Sequence, residues 1–330
     1  MQYIIKICVN PLNPRHARSK NIQFNHQSKK MQTNYEVIII GGSYAGLSAA
    51  MALGRASRNV LIIDANKPCN RQTPHSHNFL TQDGETPAAI SAKAKEQVMA
   101  YPTVTFLNDS AVEAASEENG FSITTENGET FAGKKLLLAT GINDIMPDVD
   151  GFAECWGISV IHCPYCHGYE VKNQPTAILA NTDAAMHYAQ LLLQWTKDLM
   201  LFTNGPALFT EEQKAKLQKH NITIIEGEVA RLKQHNGQLE SIVLKDGSTH
   251  NFKVLYYKPS FGHHTNLHEQ LNCAVNDMGF IATDEWQKTE VYGVYAAGDC
   301  TTPMRSVGMA VAQGMKAGAM INNELAAEAF

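Results

Sequence analysis

Glu36-Val37-Ile38-Ile39-Ile40, running straight into Gly41-Gly42-Ser43-Tyr44-Ala45-Gly46, is the stretch that decides the fold. A short apolar run of β-branched residues predicts a buried strand, and the glycines predict a tight turn out of it. A helix-like segment follows from Leu47 to Leu53, and a second apolar run from Val60 to Ile63 stops at Asp64. This is the order of a dinucleotide-binding βαβ unit. Its turn must bring backbone N–H groups and a helix N-terminus against a diphosphate, where side chains obstruct. Gly41 is expected at the turn itself, Gly46 where helix and strand pack closely, and Gly42, Ser43 and Ala45 along the diphosphate. Asp64, close to twenty residues on, is placed to hydrogen-bond ribose hydroxyls. Ser43 stands where the pattern has its middle glycine, and a slight backbone shift accommodates its hydroxymethyl group.

The same plan returns without its glycines. Thr176 to Ala180 predicts a strand, Asn181-Thr182-Asp183-Ala184-Ala185 a turn, Met186 to Trp195 a helix, and Leu199 to Phe202 a second strand leading to Asn204. Each unit precedes a hairpin pattern: Phe121 to Thr125, a turn at Asn127-Gly128 and a return over Lys135 to Ala139; then Ser241 to Leu244, a turn at Asp246-Gly247 and a return over Phe252 to Tyr257. Near the C-terminus, Gly293 to Ala297 predicts a buried strand ending at Gly298-Asp299. A helix rich in Ala, Gly and Met is predicted from Val307 to about Leu325, and both belong with the first unit. The N-terminus of such a helix can approach a flat ring and stabilise negative charge on it. The expected architecture is α/β, with two Rossmann-like three-layer domains, the second inserted into the first. Residues 34–147 and 258–330 make the first, and 148–257 the second.

The 330 residues are 44% hydrophobic and 18% charged, which suits a globular protein of two domains. No run of eighteen or more apolar residues occurs, so no membrane partner is expected. The net charge of −5 is uneven: residues 1–33 carry Lys6, Arg15, Arg18, Lys20, Lys29 and Lys30 and no acid. Tyr3 to Val9 is too short, and too interrupted by Lys6, for a secretory signal. The segment reads as a disordered tail ahead of Met31, with no nucleic-acid partner expected. A cytoplasmic, reducing location follows, where a close cysteine pair serves catalysis rather than structure.

Such a pair opens the inserted segment, in Cys163-Pro164-Tyr165-Cys166-His167-Gly168-Tyr169-Glu170. Covalent haem attachment matches formally, but that chemistry goes with export. A zinc knuckle lacks a second ligand pair, for which Cys155 and His162 are poor substitutes. Two inert cysteines are a third alternative. The redox reading is favoured, because two intervening residues let the sulfurs close a small ring and a helix N-terminus with an adjacent imidazole stabilises a thiolate. His167, titrating near neutrality, suits a proton relay. His75 and His77 follow the first unit and are either loop residues or placed over the cofactor ring. His263 and His264 read as solvated surface, and Cys8, Cys69, Cys155, Cys273 and Cys300 as structural. No metal site is expected.

Over residues 34–330 these motifs resemble the low-molecular-weight thioredoxin reductase family of flavoproteins. Gly41 to Gly46 with Asp64 match its FAD fingerprint, Ala139-Thr140-Gly141 its second flavin motif, Cys163 and Cys166 its redox disulfide, and Gly298-Asp299 its C-terminal FAD motif. Ser306 and Val307, opening the last helix, join the FAD set. The resemblance implies a homodimeric FAD enzyme in which the dithiol exchanges electrons with flavin, Cys166 being the sulfur nearer it. It also implies a proton donor after the second cysteine, where this chain has His167. The chain departs at the family's NADPH turn, because Ala180, Thr182 and Ala185 replace glycines and no cation follows in Phe202-Thr203-Asn204-Gly205. Each added β-carbon pushes a diphosphate off the N–H groups, so NADPH binding is doubtful. In this the chain is more similar to the dithiol oxidases of gliotoxin and holomycin pathways, which close a small-molecule disulfide and pass electrons through FAD to oxygen. The expected function is FAD-dependent oxidation of a dithiol with oxygen or another non-nicotinamide acceptor. NADPH-dependent reduction of a thioredoxin-like protein and a flavin-loaded redox sensor are the alternatives.

Overall fold

In the computed structural model the described residues are 32–330. The basic tail as far as residue 31, and Cys8, lie outside them, while Gln32 and Thr33 already belong to the first strand. β1 (Gln32–Ile40) lies inside the first sheet with Val37 to Ile40 buried. Val37 and Ile39 pack on one face and Ile38 and Ile40 on the other, which is why the strand reads as a continuous apolar run. α1 (Tyr44–Arg55) starts directly after the turn, three residues before the predicted start, and leads to β2 (Val60–Asp64), parallel to β1. α2 (Pro87–Met99) is capped by Thr86, whose hydroxyl accepts from Ala89 N–H at 3.1 Å, and it delivers β3 (Val104–Asn108) to the sheet edge. The chain then turns antiparallel through β4 (Ala111–Glu117), β5 (Gly120–Thr125) and β6 (Thr130–Leu138). The Asn127-Gly128 turn joins β5 to β6 as expected, but β6 begins at Thr130 rather than Lys135. Its first half pairs with β5, its second half leaves that edge free for a later strand, and its other edge lies against β1.

β7 (Asn143–Ile145) leaves this sheet, and α3 (Phe152–Cys155) and β8 (Val160–Ile161) enter a second. α4 (Pro164–His167) carries the Cys-x-x-Cys segment. β9 (Thr176–Leu179), α5 (Thr182–Leu192), β10 (Leu199–Phe202), α6 (Glu211–Lys219) and β11 (Thr223–Ile225) complete the unit whose first turn lacks glycine. An antiparallel meander follows, made of β12 (Val229–His235), β13 (Gln238–Leu244) and β14 (Thr249–Asn251). The strand predicted over Phe252 to Tyr257 is therefore not the hairpin's return, which β14 supplies. It is β15 (Val254–Tyr257), which joins the parallel sheet between β9 and β8 in the order β11-β10-β9-β15-β8. In the first unit one strand does both jobs; here Phe252 and Lys253 break it in two.

The chain returns through β16 (Ser260–Gly262), which pairs antiparallel with β7, so the outgoing and incoming crossings form a two-stranded ribbon. After α7 (Leu267–Gln270), β17 (Val294–Ala296) slots in parallel to the second half of β6, and α8 (Val307–Ala329) closes the chain. The fold is thus two dinucleotide-binding units, the second inserted into the first. Among the described residues no helix is long and apolar enough to cross a membrane.

Candidate active site

The glycines of the first turn are there because backbone occupies the space a side chain would need. At Gly41, with φ +104°, a β-carbon would lie 2.2 Å from the Ala139 carbonyl oxygen; at Gly46 it would lie 1.8 Å from the Gly41 carbonyl oxygen. Gly42 N–H donates to Asp64 Oδ1 at 2.8 Å, and Asn66 N–H to Oδ2 at 3.2 Å, which fixes the acid at the end of β2. Ser43 is the N-cap of α1 and makes no side-chain cap bond. All of these except Gly46 line one cavity of about 690 Å³.

Thr140, Gly141, Gly298, Asp299, Ser306 and Val307 line the same cavity. Ser306 caps α8 by accepting from Met309 N–H at 3.1 Å. Farther along α8, Gly314 and Gly318 have a packing use: they let the helix lie against α1, where their β-carbons would meet the Ala45 and Ala49 carbonyl oxygens at 2.0 and 2.6 Å. Asp299 accepts from Arg305 Nε at 3.3 Å, and Arg305 makes a two-pronged pair with Asp144 on β7 at 2.6 and 2.9 Å. Burial raises the Asp299 pKa despite the guanidinium. Cys69, expected to be structural, opens into this cavity beside Asp299, its Sγ 3.9 Å from Oδ2. Desolvation, then Asp299, push the thiol up to about 11. Cys155, Cys273 and Cys300 are buried. A glycine cradle, two helix N-termini and an acid at the end of β2 fit an elongated FAD.

Cys163 and Cys166 are joined as a disulfide with their Cα atoms 5.3 Å apart. Cys163 is the N-cap of α4, and its Sγ accepts from Cys166 N–H at 3.2 Å. Cys166 and His167 line the large cavity; Cys163 is not part of its wall. Burial, then the nearby His77, lower the His167 pKa against the pull of Glu170, so the imidazole is neutral at pH 7. His162, stacked on Trp156 with centroids 5.8 Å apart, falls to about 4 through burial and the Arg305 charge. His75 and His77 also line the cavity, on a loop closed by Ser76 N–H to the Glu85 carbonyl (2.8 Å) and Gly84 N–H to the Ser76 carbonyl (2.9 Å). Of the pair expected to be solvated, His264 is exposed and His263 is not. His263 is half-buried, bonded through Nε2 to the Gly279 carbonyl at 2.9 Å and 4.2 Å from the His268 ring, while His264 opens into the cavity.

The second turn is closed by its own side chains. Asn181 Oδ1 accepts from Thr182 N–H and Leu208 N–H, both at 3.0 Å, and its Nδ2 donates to the Pro206 carbonyl at 3.0 Å. The first N–H of α5 and the loop after β10 are thus bonded to Asn181, where an anion would need them. Thr182 is held at φ +61°, a left-handed conformation unfavourable for a β-branched residue, and Asp183 adds negative charge to the first helical turn. Beyond β10, Ala207 N–H donates to Glu226 Oε2 at 2.9 Å, so a carboxylate sits at that loop.

Sequence reasoning missed Arg305, Asp144, His162 and Glu170. A single arginine in a polar stretch carries no motif, and its partner lies 161 residues away. The motif that did carry a signal, Cys163 to Glu170, ended on the acid that meets His77.

A family model described as pyridine nucleotide-disulphide oxidoreductase matches residues 35–314. The thioredoxin reductase sirT of Leptosphaeria maculans is 31% identical over 305 residues, covering 87% of this chain and 93% of its own. The thioredoxin reductase tcpT of Claviceps purpurea is 30% identical over 306 residues, covering 89% and 95%. An oxidoreductase from Agrobacterium tumefaciens superposes with a TM-score of 0.84 at 36% identity, over 89% of this chain and 99% of its own.

Proposed function

Because the chain belongs to the pyridine nucleotide-disulphide oxidoreductase family, as a thioredoxin reductase-like FAD enzyme acting on sulfur groups, we propose that it oxidises a dithiol and passes the electrons to oxygen or another non-nicotinamide acceptor. The observation that carries this reading is the Asn181 side chain, bonded into the turn where a nicotinamide coenzyme's diphosphate would have to bind. A diphosphate placed there forfeits those hydrogen bonds and meets Asp183, a loss of several kcal/mol by the usual size of charge-assisted contacts.

Cys163 takes the substrate thiolate, and Cys166, which lines the cavity, leaves as the thiolate beside the cofactor. His167, neutral at pH 7, removes the first thiol proton. FAD, held by Gly41 to Gly46, Asp64, Thr140, Gly141, Gly298, Asp299, Ser306 and Val307, supplies the two-electron redox centre. Arg305 holds Asp299 in place through its second partner, Asp144. The substrate is a small-molecule dithiol or a thioredoxin-like protein, met in the cytoplasm by a homodimer.

The names of the relatives favour a second reading, NADPH-dependent reduction of a thioredoxin-like disulfide. One anaerobic experiment separates the two: FAD-loaded protein is titrated with dithiothreitol and, separately, with NADPH while the flavin absorbance is followed. The proposal expects bleaching by the dithiol, peroxide on readmission of air, and no response to NADPH. Prompt bleaching by NADPH with none by the dithiol overturns it.

A further inference from the structure

His77 and Glu170 meet across the two dinucleotide-binding units. His77 stands on the loop of the first unit that follows β2, and Glu170 on the turns continuing from α4 in the second. His77 Nδ1 is 3.6 Å from Glu170 Oε1, a gap that a small side-chain rotation closes. On its other side, Nδ1 is 3.8 Å from Asp83 Oδ1, and the His75 ring centroid is 6.4 Å away. His167 ends α4, and Glu170 lies three residues on, in the turns that follow it. His77 and His167 both line the cavity with Cys166. The charges of His77 and Glu170 are both felt at His167. The exposure is graded outward, with the His77 side chain 19% and the Glu170 side chain 40% accessible.

We propose that His77 and Glu170 form the proton exit of the dithiol site, taking the proton that His167 removes from the substrate and releasing it to water. The inference rests on the dithiol reading above. The reductive half-reaction leaves one proton over, and such an exit would take it. The first substrate thiol gives its proton to His167, and its thiolate attacks Cys163 Sγ, breaking the Cys163–Cys166 bond and leaving Cys166 as thiolate. The second substrate thiol attacks the mixed disulfide, closing the substrate disulfide, and its proton stays on Cys163. The substrate has lost two electrons and two protons, the protein disulfide has gained two electrons and one proton, and one proton must leave. His167 must shed it before the next cycle, and His77 with Glu170 connects it to solvent.

The test is stopped-flow flavin reduction by dithiothreitol in the FAD-loaded protein and its His77→Asn and Glu170→Gln variants, in non-transferring buffer with and without added imidazole. Both variants are expected to slow about 10- to 100-fold, less than the roughly 100- to 10,000-fold of losing the general base itself, with the rate rising in proportion to imidazole. Variant rates within twofold of the unaltered protein, or slow rates that imidazole leaves untouched, overturn the relay; the latter marks a purely structural contact. If the unaltered protein responds to NADPH and not to dithiols, the functional reading falls. The relay is then tested by the same comparison with a small aromatic disulfide as substrate, because the proton path runs in either direction.

Discussion

Gly314→Ala puts a methyl group where α8 touches α1, and the structure sets the size of the effect. The new β-carbon would lie 2.0 Å from the Ala45 carbonyl oxygen, 2.7 Å from its carbonyl carbon and 2.9 Å from its Cα. These are backbone atoms, so no side chain can swing aside, and α8 must move off α1 by roughly 1 Å to restore contact distances. Overpacking of this kind costs about 1–3 kcal/mol, against a gain of about 1 kcal/mol from replacing glycine inside a helix. Two controls grade the argument. Gly318→Ala meets the Ala49 carbonyl oxygen at 2.6 Å and has less to displace, while Gly308→Ala has only the edge of Phe79 at 3.9 Å. Urea unfolding at saturating FAD should therefore rank Gly308→Ala at or above the unaltered protein, Gly318→Ala below it and Gly314→Ala lowest. Because Ala45, Val307 and Ala310 wall the cofactor cavity, Gly314→Ala should also weaken FAD binding in fluorescence titration. Equal stabilities across the three variants would refute the claim that backbone approach explains Gly314 and Gly318.

Two further outcomes test other parts of the molecule. Thr182→Gly removes a β-branched side chain from φ +61° and should stabilise the protein by up to about 1 kcal/mol in urea unfolding, without creating NADPH binding, since Asn181 still closes the turn; a loss of stability contradicts the strain assignment. Glu324 is held at about 2 because its hydrogen bonds to Lys135, Lys288 and Tyr295 outweigh its burial. A depressed carboxylate contributes stability that is present above its ordinary value of 4.5 and lost as pH falls toward 2. Glu324→Gln should lower stability at pH 7 by about 1.5–3 kcal/mol and flatten the acid limb of the stability–pH curve, and an unchanged limb would remove Glu324 from the account.

What could be read in advance was whatever the backbone demands of a residue type. Gly41 and Gly46 are glycines because a carbonyl oxygen fills the place of their side chains, and the Asn127-Gly128 turn was legible for a similar reason, with Gly128 at φ +83°. β4 escaped notice because only Ala111 and Ala114 of its seven residues are buried, too sparse for a period-two signal. Phe252 to Tyr257 was read as the partner of β13 because an apolar run after a turn looks the same whether it pairs with the preceding strand or leaves for another sheet. The site was legible in its thiols and glycines and illegible in its charges. Asp144 and Arg305 belong to one unit but are separated in sequence by the insertion, His77 and Glu170 meet across the two units, and residues far apart in the chain leave no spacing to detect.

The insertion also orders events on the ribosome. The second sheet holds all its strands once Tyr257 has emerged, whereas the first must keep one edge of the second half of β6 unpaired until Val294–Ala296 is made. Gly298, Asp299 and α8, which finish the cofactor chamber, come later still. The inner unit can therefore consolidate during synthesis while the outer one waits, and capture of the flavin falls near the end of translation, as the event that closes the molecule.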